Sequence, residues 1–423
     1  MRRPVLASLC AVPALALAAC AADAPLDPTE AFEPYALELE VVDEDLAAEA
    51  AAVDASVYVA APLLTAETQA VLELTPDLRP LAVVDVSGAG IAAISATSGT
   101  LTGLSRACLS DNQGYAFCSR LATLTADGIE VDESTAELDL DFHALVMDPD
   151  GGGFWADRYA PVDCTEEAAA GACGLAPEDE PLERVYDCQV VHVREGEAVW
   201  EWSALAHVDQ ATLDAAAATS VYNPVDPFHC NSVQVDHDTG TVYVSMRHPS
   251  SVFAIDSASG EVLWTFGVDP AGPALEVADP AGLIGARQVL SGNHDFRWLG
   301  GDRFSVFDNG SGEIGTARAV IFAVAGGTAT VESVIEDPAG RTSRCTGSAR
   351  PVGEDEKFWL VSWGCSESGV SLMTADGRPV AHLTVDWEGA VERGMLTEIA
   401  SEQADLGHTV TYHAVVAEAG LLR

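Results

Sequence analysis

Positive charge is what this chain most lacks. Twenty lysines and arginines stand against 66 aspartates and glutamates, a formal net charge of −46. So acidic a chain repels phosphate backbones and anionic headgroups, which argues against a nucleic-acid partner. The apolar run Val5–Leu17 is too short to span a bilayer. Convincing helical periods are scarce, which argues against α-helical classes. No two cysteines have C-x-x-C spacing, so a zinc ribbon or a dithiol redox site is not indicated. Disorder of the body is not implied either, because acid is spread evenly and hydrophobic content, at 48%, is ordinary.

Arg2 and Arg3 precede that short apolar run, and Leu17-Ala18-Ala19-Cys20 closes it, which reads as an export signal over residues 1–19. The closing residues resemble a bacterial lipobox, which implies lipidation of Cys20. Ala21 after the cysteine then implies sorting to the outer membrane, with a cell-envelope location. Removing two arginines and no acid takes the charge from −46 to about −48. Residues 20–55, rich in Ala, Asp, Glu and Pro without an apolar period, are expected to be a lipidated tether.

Eight cysteines remain beside Cys10 and Cys20. In an oxidising compartment an even number permits disulfides. Local spacing suggests Cys108–Cys118, Cys164–Cys173 and Cys345–Cys365, leaving Cys188 with Cys230. From Ser56 to the end, short runs rich in Val, Ile, Thr, Tyr and Phe alternate with Gly, Asp, Asn and Ser clusters. Residues 203–220 are the one plausible helical insertion, and 163–183 read as a loop excursion.

Gly196-Glu197-Ala198-Val199-Trp200 recurs as Gly260-Glu261-Val262-Leu263-Trp264, with a weaker copy opening at Asp376-Gly377. A second motif sets a histidine or serine before a strand: Phe142-His143, Phe228-His229, Asn293-His294 and Gly347-Ser348. The spacing of these anchors, about fifty to eighty-five residues, fits a four-stranded blade plus insertions. The expected fold is therefore all-β, a six-bladed β-propeller over residues 56–423. A last strand near Thr409–Val416 would close the ring and hide its edges. Two stacked sandwiches are the alternative, but they leave the repeated lead-in motif unexplained.

In a propeller, side chains just before successive inner strands converge on a central channel. His143, His229, Asn231 and His294 would occupy that place, with Arg247 ending a neighbouring strand. Such donors in a concave site suit an oxyanion. The bland readings are a structural His294 oriented by Asp295, a tight turn at Asp308-Asn309-Gly310, and surface or packing roles for His192, His207, His237, His382, His408 and His413.

The segments Asp226-Pro227-Phe228-His229-Cys230-Asn231-Ser232-Val233, Val244-Ser245-Met246-Arg247-His248, Gly292-Asn293-His294-Asp295 and Val306-Phe307-Asp308-Asn309-Gly310 resemble, in order, the bacterial arylsulfotransferase family. That resemblance covers about residues 140–375. It implies a six-bladed propeller that moves sulfuryl groups from phenolic sulfate esters to acceptor phenols, without nucleotide donor, metal or other cofactor, through a sulfohistidine. It implies His294 as nucleophile, His143, His229 and Arg247 as further catalytic groups, Asn231 as a substrate contact, and Ser348 as a candidate one. Asn293 departs from the glutamine common before the family's nucleophile. The rival readings are a non-catalytic envelope propeller that binds a ligand or protein, and a quinone-dependent dehydrogenase suggested by the Gly-Glu-x-x-Trp repeats. The latter lacks an obvious calcium-ligand cluster.

Overall fold

Alternating apolar runs of this kind need a second sheet face on each side, and six sheets packed around one axis provide it. The computed structural model describes residues 25–423 apart from 61–68, 87–90, 98, 106–117, 178–179, 220, 268–272, 286–288, 312–314, 366–368 and 393–412. The export signal, Cys20, Cys108 and His408 lie outside the described residues.

Blade I joins Ala414–Ala417 to Ser56–Ala60, Ala70–Leu74 and Pro80–Asp85. Blade II is Ile91–Thr97, Thr100–Ser105, Arg120–Thr125 and Gly128–Val131. Leu145–Met147, Gly153–Asp163, Arg184–Arg194 and Glu197–Ser203 make blade III. Blade IV is Cys230–Asp236, Thr241–Met246, Ser251–Asp256 and Val262–Gly267. His294–Gly300, Arg303–Asp308, Arg318–Ala325 and Thr328–Glu336 form blade V, with Glu276–Ala278 as a parallel outer strand. Ser348–Val352, Phe358–Ser362, Gly369–Thr374 and Pro379–Val385 form blade VI. The first strand named in each blade is innermost, and neighbouring inner strands touch in ring order from I to VI and back to I.

The ring closes as the sequence suggests. Val59 pairs with Ala414 and Ser56 with Ala417, so the last strand completes the first blade. Buried Glu73 then fastens the tail, accepting from the backbone N–H of Gly420 at 2.7 Å and of Leu422 at 3.2 Å. Closure removes the exposed edges of an open sheet stack. The repeated glycines sit in left-handed turns, at φ 81° for Gly196, 78° for Gly260 and 81° for Gly377, where a side chain is strained. Both repeat tryptophans pack between blades: Trp200 donates to the Ser257 carbonyl of blade IV, and Trp264 meets Phe304 of blade V.

Cys164–Cys173, Cys188–Cys230 and Cys345–Cys365 are bonded as spacing suggests, and Cys118 is disulfide-bonded. Residues 203–220 hold two short helices, Ala204–His207 and Gln210–Ala217. The patterning passes over Gly153–Asp163, where Asp157, Arg158 and Pro161 interrupt the β signal; that strand is nevertheless paired on both sides.

The expected tether is the clearest correction. Residues 28–50 form the helices Pro28–Phe32 and Glu44–Ala50 around the strand Leu37–Val41, which adds a fifth strand to blade VI by pairing with Pro379–Val385. Phe32, Leu37, Ala47 and Ala50 are buried in the core shared by blades I and VI. The segment is too short for an apolar period to show, yet it clasps the closure. Deleting residues 21–50 should therefore destabilise the ring by roughly 3–6 kcal/mol, the burial of Phe32 and Leu37 with their neighbours. Urea unfolding checks this; an unchanged midpoint would return the segment to a tether.

Candidate functional site

Four inner strands begin on, or just after, a histidine, and closure brings these starts together at one end of the channel. His143 precedes Leu145–Met147, His229 precedes Cys230–Asp236, His294 opens His294–Gly300, and His413 precedes Ala414–Ala417. His413 obeys the same rule as His229, so it is a core residue of the channel and not a surface one; its position one residue before a closing strand was the missed signal. The rings of His143 and His229 lie 5.2 Å apart centre to centre, and those of His229 and His248 4.9 Å apart. Tyr159, from the strand overlooked above, sits 6.1 Å from His143 and 5.8 Å from His229.

The rings of His143, His229, His248 and His294 are each held by an oxygen on Nδ1. His143 bonds Asp141, which also accepts the His143 backbone N–H at 3.1 Å. His229 bonds Asp226 Oδ2 at 2.5 Å, and His248 bonds the Asp226 carbonyl. His294 lies 2.6 Å from Asn309 Oδ1 and 3.1 Å from the Gly292 carbonyl. The Asn309 orientation follows from its other contacts, since Nδ2 donates to the Thr346 carbonyl at 2.7 Å and to Ser343 Oγ at 2.8 Å. A carbonyl or amide oxygen can only accept, so Nδ1 of His248 and of His294 carries hydrogen, and in the neutral ring Nε2 carries the lone pair. For His294 this is visible directly: Nε2 accepts the Thr346 backbone N–H at 3.1 Å.

Burial sets the charge. Desolvation pushes His294 and His229 well below the ordinary imidazole range, and the Arg247 guanidinium depresses both further; His143 contributes to each. His248 falls to about 3, again chiefly through burial. Burial raises Asp226, while His248 and the backbone N–H of His229 pull it back. Asp157 is pushed well above the carboxylate range by burial and by Asp141. The neutral imidazoles of His229, His248 and His294 therefore lie in the field of the Arg247 guanidinium.

Backbone geometry marks the same place. His229, Asp295 and Thr346 adopt left-handed φ of 51°, 46° and 54°. For non-glycine residues this costs about 1–3 kcal/mol each and persists only where surroundings enforce it. Here the enforcers are covalent in part: Cys188–Cys230 pins the residue after His229, and Cys345–Cys365 pins the residue before Thr346.

His143, His229, Arg247 and His294 are thus brought together as the sequence suggests. Asn231 lies in a bulge and donates to the Asn293 carbonyl at 2.8 Å, tying blade IV to the residue before His294. Ser348 opens the inner strand of blade VI, but its Oγ meets the Ala414 backbone N–H at 3.4 Å, towards blade I. Asp295 does not orient His294; it bonds Arg297 instead. Asn309 does that work, so the Asp308-Asn309-Gly310 turn belongs to the site. Buried Arg318 fixes that turn from behind through Asp308 at 2.9 Å. Among the described residues, two groups have the donors for a cation, Asp226 with His229 and His248, and Asp141 with His143 and Asp157. In both the Nδ1 atoms are engaged by hydrogen bonds, and the Arg247 charge lies beside the first.

Replacing Asn309 by Ala removes the donor to the buried Thr346 carbonyl and leaves the His294 Nδ1–H only the longer bond to the Gly292 carbonyl. The expected cost is about 1–3 kcal/mol in urea unfolding; a change below about 0.5 kcal/mol would show that the amide does not hold His294.

Among solved structures, the chain is similar to the periplasmic gluconolactonase of Pseudomonas aeruginosa (13% identity, TM-score 0.44, covering 78% of this chain and 83% of that one). It is also similar to a protein of unknown function from Bacteroides caccae (9%, 0.45, 86% and 99%) and to TolB of Acinetobacter baumannii (11%, 0.43, 79% and 64%). No curated protein sequence matches. The model of the arylsulfotransferase (ASST) family matches residues 119–361, which hold blade III to blade VI's second strand and with them every imidazole described above except His413. By that match, the chain belongs to the arylsulfotransferase family.

Proposed function

We propose that this protein transfers a sulfuryl group from a phenolic sulfate ester to an acceptor phenol, with a covalent sulfo-His294 between the two half-reactions. The observation that carries the reading is one buried imidazole whose Nδ1 is held by Asn309 and the Gly292 carbonyl and whose positive charge is suppressed by burial and by the Arg247 guanidinium. A neutral imidazole is a competent nucleophile, and covalent relay divides one hard displacement into two.

In the first half-reaction Nε2 of His294 bonds to sulfur as the aryl S–O bond breaks, and the phenolate leaves. The Thr346 N–H, which rests on Nε2, has to give way as sulfur arrives. In the second, the acceptor oxygen takes the sulfuryl group and its proton passes to Nε2 of His143 or His229. The resulting imidazolium is held by Asp141 or Asp226 before the proton goes to water. His229, neutral and bonded through Nδ1 to Asp226, has no proton on Nε2 to give the departing phenolate, so donors built on acidic phenols, which leave without protonation, suit the first step. Arg247 offers charge to the equatorial sulfuryl oxygens, as positioning and charge stabilisation suffice for this class of displacement. Asn231 and Ser348 belong to the proposal as substrate contacts, Asn231 by its place beside Asn293 and Ser348 on sequence alone.

Export, lipidation at Cys20 and an outer-membrane location complete the reading and rest on residues 1–21. The acidic surface slows an anionic donor only on approach, since salt screens charge over roughly 8 Å.

The test is brief exposure of purified protein to 4-nitrophenyl sulfate, then intact-mass analysis and peptide mapping. One sulfuryl group should appear on His294 and be absent from His294→Ala. The depressed imidazole stays unprotonated below its ordinary range, so labelling should persist at pH about 5.5 as at about 7.5. Failure to label, labelling elsewhere, or loss of labelling through pH 6.5 would contradict the proposal.

A further inference from the structure

One buried carboxyl of blade III has no task in the sulfuryl transfer described above. Asp157, on the strand Gly153–Asp163, is wholly buried, and it clasps the turn that carries His143 from two sides. Its carbonyl accepts the Asp141 backbone N–H at 2.9 Å, and its Oδ1 accepts the Ala144 backbone N–H at 2.9 Å. Its Oδ2 is buried without a hydrogen-bond partner. Asp141 is equally buried, and an oxygen of each acid and a ring nitrogen of His143 all lie within 4.8 Å of one another.

Two carboxyl groups this close and this dry do not both ionise, and the one with fewer hydrogen bonds keeps the proton. Asp141 bonds the His143 ring and accepts the His143 backbone N–H at 3.1 Å, whereas the Asp157 carboxyl has the Ala144 N–H alone. Burial first, and the Asp141 charge second, hold Asp157 well above the usual carboxylate range. The polar groups beside it in the blade are engaged elsewhere. Arg158 pairs with Glu201, the His192 ring bonds Asp148, and the Tyr159 hydroxyl donates to the Cys230 carbonyl at 2.5 Å. His229, facing His143 from blade IV, has its own carboxylate in Asp226.

We propose that Asp157 is a positioning residue for proton transfer at His143, an un-ionised carboxylic acid that fixes the turn and leaves Asp141 as the single charge behind the ring. The proposal rests on the second half-reaction given above. There the acceptor oxygen bonds sulfur as the S–Nε2 bond of sulfo-His294 breaks, the electron pair of that bond returns to Nε2, and the acceptor's proton passes to His143. One imidazolium then faces one carboxylate, and the proton leaves for water. A second carboxylate at this range would raise the proton affinity of His143 by on the order of a hundredfold. The ring would then meet the acceptor already protonated and unable to take its proton.

Wild type at pH about 7.5 should show the infrared C=O band of an un-ionised carboxylic acid that Asp157→Asn lacks. An acid that holds its proton more tightly folded than unfolded costs stability as pH rises through the interval between its two ranges. The urea midpoint of Asp157→Asn should therefore climb relative to wild type from pH about 4.5 to about 7.5. For function, sulfo-enzyme formed with 4-nitrophenyl sulfate is discharged by phenol in a single turnover. Asp157→Ala, which removes the acceptor of the Ala144 N–H, should slow discharge by about tenfold or more, and Asp157→Asn should bring it back to within about threefold of wild type. If His294 does not label, the proton-transfer role falls with that reading, while the infrared band and the urea series still decide the ionisation of Asp157. An ionised Asp157 at pH about 7.5, a midpoint difference that is flat or falls with pH, failure of Asp157→Asn to fold, or discharge as slow in Asp157→Asn as in Asp157→Ala overturns the proposal.

Discussion

Desolvation of imidazoles whose Nδ1 atoms are already committed is the constraint on which the site depends. A histidine in water titrates near neutral pH and exchanges tautomers freely. In this channel neither freedom survives. Asp141, the carboxyl and the backbone carbonyl of Asp226, and Asn309 each engage one Nδ1, which leaves the lone pair of His294 on Nε2. Burial, with Arg247 nearby, keeps the rings of His229 and His294 uncharged. A nucleophile made this way needs no base to strip it of a proton, and the same fixed tautomer lets neighbouring rings accept one.

The fold exists to impose that constraint on residues scattered over the chain. His143 and His413 are 270 positions apart by their numbers, and only closure of the ring makes them neighbours. Closure is secured on two sides: the last strand enters blade I under the grip of Glu73, and residues 28–50 wrap the outside of blade VI. Local strain at His229 and Thr346 is then held by the Cys188–Cys230 and Cys345–Cys365 links. Asn309 gives the fine adjustment. One carboxamide orients the His294 ring and anchors the Thr346 peptide that caps it, so nucleophile and cap move as a unit.

Much of this was legible beforehand, for physical reasons that differ by element. Blade strands announce themselves through β-branched runs between turn residues, and the Gly-Glu-x-x-Trp copies mark equivalent hairpins because only glycine enters those turns without strain. The histidines before Leu145, Cys230 and at position 294 were readable because a propeller sends strand starts to its axis. Gly153–Asp163 was not readable, since Asp157 and Pro161 look like loop residues until their partners on both sides are known. The Asn309 role was hidden for a similar reason: Asn-Gly is a turn signal, and only the fold shows that this turn faces a buried ring. Residues 28–50 are polar in composition because their buried contacts are few and spaced irregularly.

The protonation state of the His294 ring is decisive, and nitrogen NMR of protein labelled in its histidines reads that state directly. His294, assigned by comparison with His294→Ala, should show a protonated Nδ1 and an unprotonated Nε2 at neutral pH, unchanged down to about pH 5. An imidazolium signal appearing near pH 6.5, or a proton on Nε2, would contradict it.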